Sequence, residues 1–190
     1  MADQPPLILA FGDSLMAGYG LARDEGFAPQ LEAALRGRGV EAEVVNAGVS
    51  GSTAGNGRMR LKWVLDALPR PPALAIVSFG GNDLLRGVPA RETREDMAAI
   101  LAVLKARGIP VVLGGMLAPP FLGEAYKKEF NSLFAGLARE YEVAGFYPFF
   151  LAGVAGVAGL NLPDRVHPNR DGIARIVSGI LPFVLEAVGA

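Results

Sequence analysis

The chain has 190 residues, of which 51% are hydrophobic and 19% charged, so it is a single globular domain able to bury about 70% of its unfolded surface, not a disordered segment. Its 18 lysines and arginines against 19 aspartates and glutamates leave a net charge of -1, which offers no electrostatic footprint for nucleic acid or an anionic membrane. The absence of cysteine excludes disulfides, a thiolate nucleophile and cysteine-held metal.

The first six residues, Met1 to Pro6, carry no basic region, and the apolar stretch after them is too short for a signal-peptide core. No run approaches the roughly 18 apolar residues of a membrane span, so no integral membrane segment is expected. The chain as given reads as soluble. Its compartment is left open between the cytoplasm and, had an export signal been removed, the periplasm or the exterior.

Apolar runs alternate with helix-period segments along the rest of the chain. Leu7 to Phe11 reads as a buried strand that gives way to Gly12-Asp13-Ser14-Leu15, which puts Ser14 at the strand's carboxyl end. Phe27, Leu31, Ala34 and Leu35 mark one face of a helix that Gly37 and Gly39 terminate. Glu43-Val44-Val45 begins a second strand and runs into a turn-rich loop from Asn46 to Ser52. Leu61, Val64, Leu65 and Leu68 give a second helical face, stopped by Pro69, Pro71 and Pro72.

Ala73 to Phe79 is almost wholly apolar, as a central parallel strand covered on both faces would be. Gly80-Gly81-Asn82-Asp83 follows it, and then a helix from about Thr93 with Met97, Ile100, Leu101 and Leu104 inward and Gly108 as its cap. Ile109 to Leu113 predicts a fourth strand, and Phe130, Leu133, Phe134 and Leu137 a further helix. A short fifth strand near Val143 to Tyr147 precedes an irregular stretch from Pro148 to Asn169, in which Gly153, Gly156 and Gly159 form a flexible loop. The last helix buries Ile173, Ile176, Val177, Ile180 and Leu181, with Pro182 expected to kink or end it.

Five β-then-α units with short connections predict an α/β fold: one three-layer α/β/α domain over residues 1–190, on a five-stranded parallel sheet of flavodoxin-like order 2-1-3-4-5. With that order the strand sequence switches between strands 1 and 3, so the loops carrying Ser14 and Asn82 flank one crevice at the strands' carboxyl ends.

Serine becomes a nucleophile when a base lies within hydrogen-bond reach and a third group orients that base. The one histidine, His167, stands three residues after Asp164, near enough for Asp164 to accept the imidazole Nδ1 hydrogen. Pro168 biases His167 toward an extended backbone, and Val166 is read as anchoring the loop in the core. Acyl transfer also needs donors for a developing oxyanion. Gly51, whose lack of a Cβ lets its N–H approach closely, and the Asn82 amide are the candidates, with Gly48 a rival glycine.

Gly12-Asp13-Ser14-Leu15, Val49-Ser50-Gly51, Gly80-Gly81-Asn82-Asp83 and Asp164-Arg165-Val166-His167-Pro168 resemble, in order, the four sequence blocks of the GDSL, or SGNH, hydrolases. The chain is most similar to the bacterial arylesterase, thioesterase I and lysophospholipase branch, nearly end to end. The resemblance implies Ser14 as nucleophile, His167 as general base and then acid, and Asp164 as its orienting carboxylate. It implies an oxyanion hole of the Ser14 N–H, the Gly51 N–H and the Asn82 amide. Asp13 and Asp83 are given turn or cap roles. The α/β-hydrolase elbow G-x-S-x-G is absent.

The expected activity is therefore hydrolysis of a small-molecule ester or thioester through an acyl-enzyme, falling as His167 protonates, with no cofactor and no metal. Aryl esters, short to medium acyl esters, acyl thioesters and lysophospholipids are the expected substrates, with carbohydrate deacetylation the alternative on the same site. Leu84, Leu85, Met116, Leu117 and Pro119, on two apolar loops with Val88, Pro89 and Phe121, are the expected substrate contacts. Two other classes remain on the sequence: phosphoryl chemistry at a metal held by Asp13, Asp83 and Asp164, and a non-catalytic binding module.

Overall fold

The computed structural model describes residues 4–189. Met1 to Asp3, part of the stretch read above for a leader, and Ala190 lie outside the described residues. Five parallel strands, β1 (Leu7–Gly12), β2 (Glu43–Gly48), β3 (Leu74–Ser78), β4 (Val111–Gly114) and β5 (Gly145–Tyr147), form one sheet of order β2-β1-β3-β4-β5. This is the expected order. Every residue of β1, β3 and β4 is buried, which is why these runs are continuously apolar instead of alternating.

Seven helices cover the sheet: α1 (Ser14–Ala17), α2 (Phe27–Arg36), α3 (Ala54–Ala67), α4 (Gly81–Leu85), α5 (Ala90–Ala106), α6 (Glu124–Glu140) and α7 (Arg170–Ala187). α2 packs on α7, while α3 packs on α5 and α5 on α6, giving two helical layers around the sheet. Most of the inward residues predicted from periodicity are buried, among them Leu31 and Leu35 in α2, Met97, Ile100, Leu101 and Leu104 in α5, and Ile173, Ile176, Val177, Ile180 and Leu181 in α7, while Ala34 and Leu68 are partly buried against the core.

Register decides where the site falls. Gly12 is paired with Gly48 on one side and with Ser78 on the other, so β1, β2 and β3 end at one level and their loops leave the sheet side by side. Gly48 also lets α1 come close: a Cβ there would lie 2.2 Å from the Ala17 amide nitrogen, far inside contact distance. The sheet's β2 edge is blunted by side chains. Glu32 accepts from the Val44 N–H at 3.1 Å, and Arg60 donates to the Ala47 carbonyl at 2.8 Å.

Pro182 does not end α7, which runs on to Ala187. The hydrogen bond that proline cannot donate would have gone to the Ser178 carbonyl. Pro182 and Ser178 both lie on the exposed side of α7, where water can take that acceptor. α1 and α4 are absent from the predicted elements because helices of four and five residues are too short to show a period.

Candidate active site

α1 starts at Ser14 because Asp13 caps it, its Oδ1 accepting from the Leu15 N–H at 3.0 Å. The cap puts Ser14 at the first helical turn directly beyond β1, with its hydroxyl at the edge of the sheet. His167 arrives from the opposite side of the chain, 153 positions away in sequence, and its Nε2 lies 3.0 Å from Ser14 Oγ.

The histidine stands on a tight loop closed by the Leu162 N–H on the His167 carbonyl at 2.7 Å and the Asn169 N–H on the Leu160 carbonyl at 3.0 Å. Asp164 organises this loop. Its Oδ1 accepts from the Val166 and His167 N–H groups at 2.9 and 3.0 Å, and its Oδ2 lies 2.7 Å from His167 Nδ1. The backbone N–H of His167, that of Val166 and then the imidazole hold its carboxyl down to about 2. A carboxylate fixed in its charged form keeps the ring proton on Nδ1, leaving the Nε2 lone pair toward Ser14. Arg165, between them, takes a left-handed backbone with φ 59°.

Among the described residues, the Ser14 and Gly51 backbone N–H groups have no hydrogen-bond partner. Gly51 has φ +81°, which glycine adopts without strain. The rival Gly48 is differently engaged, its N–H donating to Asn46 Oδ1 at 2.8 Å. The Asn82 amide is held between Ser52 O at 3.1 Å and Asp13 Oδ2 at 3.3 Å. Any new acceptor must therefore share or displace one of these, and the Asp13 bond is the longer. Burial pushes the Asp13 carboxyl up to about 6, the hydrogen bonds from Leu15 and Asn82 opposing the shift.

These groups surround an open cleft of about 280 Å³, lined also by Tyr19, Ser50, Leu85, Met116, Leu151 and Val166. Of the five predicted substrate contacts, Leu85 and Met116 line it. Leu84, Leu117 and Pro119 do not: Leu84 packs against the core, while Leu117 and Pro119 sit on the loop beyond Met116. Val166 is no core anchor. It is half-exposed and faces the cleft, because the loop's anchoring falls to Asp164 and to main-chain bonds. Sequence reasoning also missed Tyr19, whose ring lies 4.4 Å, centroid to centroid, from the His167 imidazole. Its only signal was an aromatic residue between Gly18 and Gly20.

The three aspartates proposed as metal ligands go to separate tasks. Asp13 caps α1, Asp164 serves the histidine, and Asp83 accepts from the Ala54 N–H at 3.0 Å and from Thr93 Oγ1 at 3.1 Å. Burial raises the Asp83 carboxyl. Among the described residues no three histidine or carboxylate side chains come together as a metal site, and none of the seven helices is long and apolar enough to cross a membrane.

The chain is a three-layer α/β/α protein on a parallel sheet of order 2-1-3-4-5, with a cleft at the strands' carboxyl ends over Ser14 and the hydrogen-bonded His167. The profile of the GDSL-like Lipase/Acylhydrolase family matches residues 10–175. An arylesterase of Vibrio mimicus is 33% identical over 162 residues, covering 85% of this chain and 80% of that protein. Thioesterase 1/protease 1/lysophospholipase L1 of Escherichia coli (strain K12) is 32% identical over 164 residues, covering 86% and 76%. The crystal structure of AlinE4, an SGNH-hydrolase family esterase, aligns over 100% of both chains with 46% identity and a TM-score of 0.83. The chain belongs to the GDSL-like lipase/acylhydrolase family, the SGNH hydrolases, and is a hydrolase acting on ester bonds.

Proposed function

We propose that Ser14, His167 and Asp164 form a catalytic triad that hydrolyses carboxylic esters through an acyl-enzyme. The observation that carries this reading is the unbroken series from Asp164 Oδ2 to His167 Nδ1 at 2.7 Å and from His167 Nε2 to Ser14 Oγ at 3.0 Å. As Ser14 Oγ attacks the acyl carbonyl, its proton passes to Nε2, and Asp164 stabilises the resulting imidazolium. The oxyanion takes the free Ser14 and Gly51 N–H groups and displaces Asp13 from Asn82. Each such donor is worth about 100- to 1,000-fold in rate.

Collapse of the tetrahedral intermediate expels the alcohol or thiol, which takes the proton from Nε2. Water then attacks the acyl-enzyme, giving its proton to Nε2, and Ser14 Oγ recovers a proton as the carboxylic acid leaves.

The cleft, about 280 Å³, lies at the small end of ligand sites, so short to medium acyl groups are the preferred class. Its lining of Leu85, Met116, Leu151 and Val166 suits an acyl chain or aryl ring better than a sugar, which places carbohydrate deacetylation second. Thioesters and lysophospholipids enter because the Escherichia coli relative is named for both. The test is a panel of p-nitrophenyl esters and acyl-CoA thioesters of graded length with the wild type and Ser14→Ala. Wild-type turnover that Ser14→Ala abolishes supports the triad, and turnover that survives Ser14→Ala overturns it.

A further inference from the structure

The loop after β2 carries Gly51, a residue without a side chain to hold it in place, and it lies against the short helix that carries Asn82. Three residues of that region reach across to it. Asn82 Nδ2 donates to the Ser52 carbonyl at 3.1 Å, Asp83 Oδ2 accepts from the Ala54 N–H at 3.0 Å, and Arg86 Nη2 donates to the Gly51 carbonyl at 2.7 Å. Arg86 alone contacts Gly51 itself. Its guanidinium also packs over the glycine: a Cβ built on Gly51 would stand 3.5 Å from Nη2.

Arg86 is the residue that ends α4 and follows Leu85, which lines the cleft with 74% of its surface exposed. One short segment, Asn82 to Arg86, thus holds one oxyanion donor, touches the substrate cleft and ties down the residue bearing a second donor. The bond is charge-assisted and directional. No other polar partner of the Arg86 side chain appears among the described residues.

We infer that Arg86 is a positioning residue of the oxyanion hole, holding Gly51 by its carbonyl so that its N–H faces the reacting carbonyl oxygen. The inference rests on the serine-esterase reading above. Misplacing a donor by about 1 Å can cost on the order of 100-fold, and the group that prevents this acts in the transition state more than in substrate binding.

The test compares Arg86→Ala, Arg86→Gln and Arg86→Lys with wild type and Ser14→Ala on one p-nitrophenyl ester. Arg86→Ala is expected to lower kcat about 10- to 100-fold with KM within about twofold, and Arg86→Lys, which keeps a charged donor, to recover part of the loss. The exposed position of Arg86 leaves the fold intact, checked by thermal unfolding. The second readout is the infrared carbonyl band of an isotope-labelled acyl-enzyme. It should move to higher frequency in Arg86→Ala and Arg86→Gln as the acyl carbonyl loses the Gly51 donor, whereas a loss of rate that leaves the Gly51 N–H in place would not move it. If Ser14→Ala is inactive while the Arg86 variants keep wild-type kcat or an unmoved band, the role of Arg86 is overturned and the triad stands. If Ser14→Ala stays active, the serine reading itself falls.

Discussion

Asp13 Oδ2 accepts a hydrogen bond from Asn82 Nδ2 at 3.3 Å while its Oδ1 caps the N–H of Leu15 at 3.0 Å. One buried carboxylate therefore joins the helix that begins with Ser14 to the amide beyond β3. Asp13→Asn separates the two tasks. The asparagine oxygen can still cap α1, but its NH₂ group then faces the Asn82 NH₂, and two donors oppose each other. The expected result is a fall in kcat of about 10- to 100-fold, at or below the cost of one oxyanion donor, with cooperative unfolding of the native fold retained. Steady-state kinetics beside calorimetry checks it, and an unchanged kcat would detach Asp13 from Asn82.

The same carboxylate makes stability depend on pH. Burial raises Asp13 from 3.8 to about 6, so between those values the folded state binds a proton that the unfolded chain does not, and stability falls as pH rises from about 4 to 6. A difference of that size is worth about 3 kcal/mol. The raised Asp83 acts in the same direction. Asp164 acts oppositely: held down to about 2 by the His167 and Val166 N–H groups, it contributes stability above pH 3.8 that is lost as pH falls toward 2. Urea unfolding at several pH values should show the slope between pH 4 and 6, reduced in Asp13→Asn. A slope unaltered by that substitution would assign it to Asp83 instead.

The sheet and its order were legible because buried parallel strands are continuous apolar runs, as Leu74 to Val77 is, and because five such runs alternate with helical periods over short connections. The approach of His167 to Ser14 was legible only as a pattern of residue types, since 153 positions separate them. What stayed hidden depends on side-chain geometry. Nothing in the sequence says that Asn82 is held by Asp13, that Tyr19 lies on His167, or that Val166 turns outward. Leu84, Leu117 and Pro119 show the same limit: hydrophobicity near a cleft does not tell which side of the loop faces it.

Arg60 secures the level at which those strands end. Its guanidinium donates to the Gly12 carbonyl and to the Ala47 carbonyl, each at 2.8 Å, and lies 4.3 Å from the centre of the Phe11 ring. Arg60→Met keeps the apolar stem and removes both bonds. Charge-assisted hydrogen bonds of this kind contribute about 1.5–3 kcal/mol each, less what desolvation of the partly buried cation costs, a cost visible in its lowered pKa. A net loss of about 2 kcal/mol in chemical unfolding is expected, with Arg60→Lys intermediate because an ammonium cannot form the fork.

Tyr19 bears on the histidine's orientation. The two rings are 4.4 Å apart and inclined by 36°, so the tyrosine ring restricts rotation of the imidazole on its exposed side. An aromatic pair is worth about 0.5–1.5 kcal/mol beyond its buried area, which corresponds to about a 2- to 10-fold effect in kcat/KM. Tyr19→Phe should retain the activity and Tyr19→Ala should lose that factor. Equal losses in both variants would move the effect to the phenol hydroxyl and away from the ring.

Asp164→Asn is the sharpest test of the histidine's tautomer. The Oδ1 bonds from Val166 and His167 can survive in the amide, so the loop should keep its shape. The new NH₂, however, stands where Oδ2 now accepts from Nδ1 at 2.7 Å, and it requires Nδ1 to become the acceptor. The ring proton then sits on Nε2, facing Ser14 Oγ, where the lone pair is needed. A loss on the order of 10,000-fold in kcat is expected, the size that a wrong tautomer imposes on a serine triad. Asp164→Ala imposes no tautomer but also removes the Oδ1 anchor of the loop, so only Asp164→Asn isolates the tautomer from the loop's shape. Activity retained in Asp164→Asn would mean that the proton on Nδ1 plays no part in the reaction.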